Sequence, residues 1–141
     1  MEALYENLED IFGIFDEKFQ YIFNSLREYG VYNKIGLSFI AITLLVFAGF
    51  YFLYKNPYAK LFPHWALTLA ISAILSAVAT FTIVREGLAE YLLDNDSEVA
   101  DFANQLVSSY TFINFVLAII FGILISQVLR LGSKVQPHLP F

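Results

Sequence analysis

Three stretches of about twenty residues constrain this chain more than any other feature. Residues 35–54, 66–84 and 111–129 carry no Asp, Glu, Lys, Arg or His between them. A helix of that length crosses about 30 Å of hydrocarbon. Charges bracket each stretch: Lys34 and Lys55, His64 and Arg85, Asp101 and Arg130. Aromatic side chains sit near the ends, with Tyr54, Trp65 and Tyr110 placed as interface anchors in the belt that spanning helices show. The reading is an all-α integral membrane protein with three transmembrane helices. Composition agrees: apolar residues make up 58% and charged residues 15%, against about 25% charged in soluble domains. So few charges cannot wet a normal surface, and so many apolar groups exclude disorder.

The pieces outside the spans divide the chain further. Residues 1–34 form an acidic segment, 35–132 the three-span bundle with an extramembrane connector at 85–110, and 133–141 a basic, proline-containing tail. Within the first segment, Leu4, Leu8, Ile11, Phe12, Phe15, Phe19, Ile22, Phe23 and Leu26 recur at three- and four-residue spacing. That spacing predicts one amphipathic helix over 2–29, ended by Gly30. Its polar face carries seven carboxylates and only two bases, Lys18 and Arg27. Residues 1–10 have four carboxylates and no base, the opposite of a secretory signal. In the connector, Asn95 or Asp96 is placed to cap a helix. Val99, Phe102, Ala103, Leu106 and Val107 keep helical spacing beyond it, so that helix runs straight into the third span.

An odd number of spans divides the charges by side. All thirteen carboxylates fall with the N-terminus and the 85–110 connector. The 55–65 loop and the C-terminal tail carry only bases: Lys55, Lys60, Arg130 and Lys134. Short basic segments favour the cytoplasm. The expected topology therefore places the N-terminus and connector outside, and the 55–65 loop and C-terminus inside.

The second span holds the most specific pattern. Thr68, Ser72, Ala73, Ser76, Ala77 and Thr80 belong to a face of small residues covering more than half the helix. The third span has a matching line at four-residue spacing: Asn114, Ala118, Gly122 and Ser126. Lipid gives helices no hydrophobic reason to associate, so close contact and hydrogen bonds must do it. The two lines are expected to pack together, with the broad face of the second span touching two neighbours. The other reading of the hydroxyl stripe is the lining of a pore in a homo-oligomer.

Candidate chemistry is sparse. With no cysteine, thiolate catalysis and disulfides are excluded. His64 and His138 lie in a turn and a tail, a poor pair of haem or metal ligands. Counted from Asp94, a calcium loop would need Gly at its sixth position and Glu at its twelfth. Val99 and Gln105 stand there. A net charge of −5 argues against nucleic acid. No cofactor and no catalytic residue is expected. The acidic N-terminal helix needs a sink for its apolar stripe, since each buried large side chain is worth roughly 1.5–3 kcal/mol. Phe12, Phe15, Phe19 and Phe23 are therefore expected to dock on a partner protein. The reading reached is a non-catalytic subunit that packs into and scaffolds a larger membrane assembly through its small-residue helix faces and acidic amphipathic helix, in contact with the lipid bilayer and with other membrane subunits or copies of itself. The alternative is a homo-oligomeric channel.

Overall fold

A computed structural model describes residues 1–53, 61–94 and 96–132. Tyr54, most of the 55–65 loop, Asn95 and the 133–141 tail lie outside the described residues. Among those described, 91% are helical and none is in a strand. The elements are α1 (Glu2–Phe12), a 3-10 turn (Glu17–Phe19), α2 (Gln20–Glu28), α3 (Val31–Ala48), a π turn (Gly49–Leu53), α4 (Leu61–Gly87), α5 (Ala89–Leu92) and α6 (Ser97–Gly132). Three helices, within Val31–Phe52, Phe62–Gly87 and Ser97–Leu129, are long and apolar enough to cross a membrane.

The N-terminal segment departs from the single helix expected over 2–29. Gly13 takes a left-handed conformation (φ 61°, ψ 34°) and ends α1, a geometry that costs glycine nothing. The Ile14 amide then donates back to the Glu9 carbonyl. The Asp16 side chain accepts from the Lys18 amide and opens the 3-10 turn. This corner folds α1 and α2 back onto the long helices. Gly30, also left-handed (φ 64°), starts α3 by a second sharp turn.

Leu88, Tyr91 and Leu92 were expected to continue the second span, but α4 ends at Gly87 and α5 is a separate turn; beyond Asp94 the connector behaves as its spacing predicts. Asp96 accepts from the Glu98 amide at 3.0 Å and so caps α6. From there α6 continues for 36 residues without a break, about 54 Å at 1.5 Å per residue. At its far end α3 widens into the π turn, which brings Phe50 and Tyr51 inward. Such turns re-aim side chains within a helix.

The three long helices pack on one another, and α4 touches both α3 and α6. They fit tightly at Gly122, where a Cβ would lie 2.7 Å from Leu69 Cδ1 and 2.9 Å from Phe47 Cε2, so the missing side chain leaves room for those of α4 and α3. One apolar cluster fills the acidic end. In it, Phe19, Ile22, Phe23 and Leu26 pack on Val84, Leu88, Ala103, Leu106 and Val107. A smaller one at the other end joins Phe47, Phe50, Tyr51 and Trp65. The outer faces of the long helices are apolar and uncovered: Leu37, Leu45, Leu67, Ile74, Val78, Phe112, Leu124 and Val128 are all exposed.

Candidate functional site

A chain of polar side chains runs inside the bundle from its acidic end. The Tyr5 hydroxyl, on α1, donates to Asn114 Oδ1 on α6 at 2.6 Å. Asn114 Nδ2 donates to Thr80 Oγ1 on α4 at 2.8 Å. All three residues are fully buried. Thr80 sits five residues in from Arg85, about 7.5 Å along the helix. The first turn of α1 therefore reaches past the charged rim of the long helices. Its close fit is visible at Gly36, where an added Cβ would stand 2.7 Å from Met1 Cγ.

One turn further along α1 lies Glu9, only 2% exposed. Its Oε1 accepts from the Tyr32 hydroxyl of α3 at 2.7 Å and from the Tyr110 hydroxyl of α6. Tyr5 and Glu9 are four residues apart and share the face of α1 turned to the bundle. Burial pushes the Glu9 carboxyl above its ordinary value. The Tyr110 and Tyr32 hydroxyls and the Arg27 guanidinium pull it back. Arg27 itself bonds Glu6 at 2.8 Å and approaches Glu2 at 3.7 Å, joining α2 to the acidic flank of α1. Lys18 pairs with Glu98 and ties the 3-10 turn to the start of α6. Tyr5, Tyr32 and Tyr110 also pack as rings, with centroids 5.8–6.2 Å apart.

Thr68, Ser72 and Ser76 of α4 face inward too, while Thr82 is exposed. Ser72 donates to Thr43 of α3 at 3.2 Å, and Thr68 donates to the His64 carbonyl at 2.8 Å. Ser76 is buried, and among the described residues its hydroxyl finds no partner. At the far end Ser126 accepts from Trp65 Nε1 at 2.9 Å and meets the Tyr51 hydroxyl at 2.6 Å.

The predicted residues therefore fall into three groups. Thr68, Ser72, Ala73, Ser76 and Thr80 are buried within one chain, and Ala77 is half-buried. Asn114, Ala118, Gly122 and Ser126 are buried on the facing side of α6. A pore lined by the α4 hydroxyls would require α3 and α6 to draw away from them. The four phenylalanines separate. Phe19 stacks on Phe102 at 4.1 Å and Phe23 is buried, so their docking site is the chain's own α6. The fold-back at Gly13 supplies the sink that was expected from a partner. Phe12 and Phe15 stay exposed, at 50% and 40%. Two anchors also turn inward: Trp65 is 7% exposed and Tyr110 is 1% exposed, each held by the hydrogen bond described above.

Tyr5, Glu9, Thr43 and Tyr51 were not singled out by sequence. The one available signal was Tyr5 and Glu9, four apart on the edge of an apolar stripe. Among the described residues no group of three His, Asp or Glu side chains could hold a metal ion. Comparison with protein-family models, with curated proteins and with solved structures finds no match to this chain.

Proposed function

We propose that this chain is a non-catalytic, multi-pass membrane protein that serves as a packing subunit of a larger membrane assembly. Its N-terminus and connector lie outside, and the 55–65 loop and C-terminus lie in the cytoplasm, following the charge distribution. The observation that carries the subunit reading is the apolar edge left uncovered after the chain has folded on itself. Ile11 is 74% exposed, beside exposed Phe12 and Phe15. Glu2, Glu6 and Asp10 run along the flank of the same helix. An acidic helix gains nothing at an anionic lipid surface, whereas a protein partner rewards both the aromatic groups and the carboxylates. The small-residue faces serve the chain's own packing, so the partner meets the N-terminal edge.

Purification in mild detergent tests this. Foreign membrane subunits should co-purify in fixed stoichiometry, and Ile11→Ser with Phe12→Ser should release them while the melting temperature holds. Recovery of this polypeptide alone, or as a ring of identical copies that conducts ions after reconstitution, overturns the reading.

A further inference from the structure

A groove of about 380 Å³ opens at the acidic end between the start of α3 and the α4–α5 corner. Its size lies in the range of small-molecule sites. Tyr29, Val31, Lys34, Ile83, Glu86 and Glu90 line it. Lys34, Glu86 and Glu90 bring opposite charges to one groove without pairing. Among the described residues, ion pairs join only Lys18 to Glu98 and Arg27 to Glu2 and Glu6. Two carboxylates and an ammonium thus line the groove with no ion pair among them. The floor is apolar, with Val31 buried and Ile83 half-buried. Below Lys34 the same face of α3 continues through Ala41 to Leu45, both exposed, as the eleven-residue spacing of a helix requires.

We propose that this groove binds the headgroup of a zwitterionic phospholipid carrying a primary ammonium. The phosphate lies at Lys34, the ammonium between Glu86 and Glu90, and an acyl chain along Ala41 and Leu45. The assignment rests on the membrane reading above, which places Lys34 and Glu86 at the bilayer surface. The chemistry selects among lipids. An anionic headgroup would add charge to a site that already has two carboxylates for one lysine. A quaternary ammonium has no N–H to give the carboxylates and prefers an aromatic cage; Tyr29 is the one aromatic ring lining this groove. A primary ammonium donates to both carboxylates in charge-assisted bonds.

The full chain, reconstituted in an equimolar mixture of phosphatidylethanolamine, phosphatidylcholine and phosphatidylglycerol, is extracted gently and its retained lipid counted by native mass spectrometry. Phosphatidylethanolamine should be retained about tenfold over the others, the worth of one charge-assisted bond. Glu86→Gln with Glu90→Gln should erase its advantage over phosphatidylcholine. Lys34→Gln should lower retention of all three. These side chains are exposed, so the variants keep the wild-type melting temperature. Equal retention of the three lipids, or a preference that survives both variants, overturns the site. Release of the chain by alkaline extraction overturns the membrane reading instead, and it is scored separately by pelleting.

Discussion

The two ends of the bundle are closed by the same device with different acceptors. At the acidic end, Tyr32 and Tyr110 point their hydroxyls at Glu9. At the other, Tyr51 and Trp65 converge on Ser126. Both place amphipathic aromatic rings in an apolar cluster with the polar tip satisfied, as buried tyrosine and tryptophan require. The difference is that one acceptor ionises and the other does not. The acidic end also borrows its acceptor from outside the long helices, since Glu9 arrives on α1. That end is thus coupled to pH and to the seating of the N-terminal segment, and the other to neither.

The largest effect should come from the tight contact beside the neutral end. Gly122→Leu puts a side chain where even a Cβ would meet Leu69 and Phe47. Overpacking of this kind costs about 1–3 kcal/mol or more, so the melting temperature in detergent should fall at every pH. A silent variant would mean that the three helices do not meet there. Next, Asn114→Ala removes both the acceptor for Tyr5 and the donor to Thr80. Leaving buried polar groups unpaired costs about 1–3 kcal/mol. The loss should fall on the acidic end alone, with the turn that follows α1 becoming open to limited proteolysis at Lys18 while the core of α4 and α6 stays protected.

The same contrast explains what could be read from the residues alone. The three long helices were legible because uncharged length and bracketing charges are one-dimensional signals. The continuity of α6 was legible because Val99, Phe102, Leu106 and Val107 keep one phase across the loop-to-span boundary. The α4 and α6 faces were legible for the same reason, down to Thr80 and Asn114. The fold-back at Gly13 was not, because the apolar spacing from Leu4 to Leu26 runs through it unchanged. The left-handed Gly13 and the extended Asp16 break the helix, and apolar spacing does not record that. Once α1 and α2 separate, one of seven carboxylates turns inward, and periodicity gives no way to choose Glu9 over Glu6 or Asp10. Tyr110 and Trp65 were expected as interface anchors at the helix ends, and they lie buried against neighbouring helices. A residue at a helix end is anchor or core according to which way the neighbouring helix lies.

At the neutral end, Ser126→Ala takes the acceptor from Trp65 Nε1 and a hydrogen-bond partner from Tyr51. The expected cost is about 1 kcal/mol, the net worth of an ordinary buried hydrogen bond. It should be the same at acidic and neutral pH, because nothing in that contact titrates. A pH-dependent loss would erase the distinction between the two ends. Trp65 emission reads this directly, since its indole N–H would lose that acceptor.

The gentlest test changes one atom's chemistry and almost no shape. In Glu9→Gln the amide oxygen can still accept from Tyr32 and Tyr110, while the titrating proton is gone. Burial raises the Glu9 carboxyl above its ordinary 4.5, so the folded chain holds this proton more tightly than the unfolded one. The charges facing it are Arg27 and Glu6, with the Tyr32 and Tyr110 hydroxyls bonded to it. Below 4.5 both states are protonated and the contribution to stability is complete. As pH rises through the folded value it is lost, because the unfolded chain releases the proton first and pulls the equilibrium toward itself. Wild type and Glu9→Gln should therefore melt together in acid and diverge as the pH is raised, with the glutamine variant the more stable. Taking the difference between the two chains cancels the other twelve carboxylates. Parallel curves would show that Glu9 titrates alike folded and unfolded, and the acidic end would then be as indifferent to pH as Ser126.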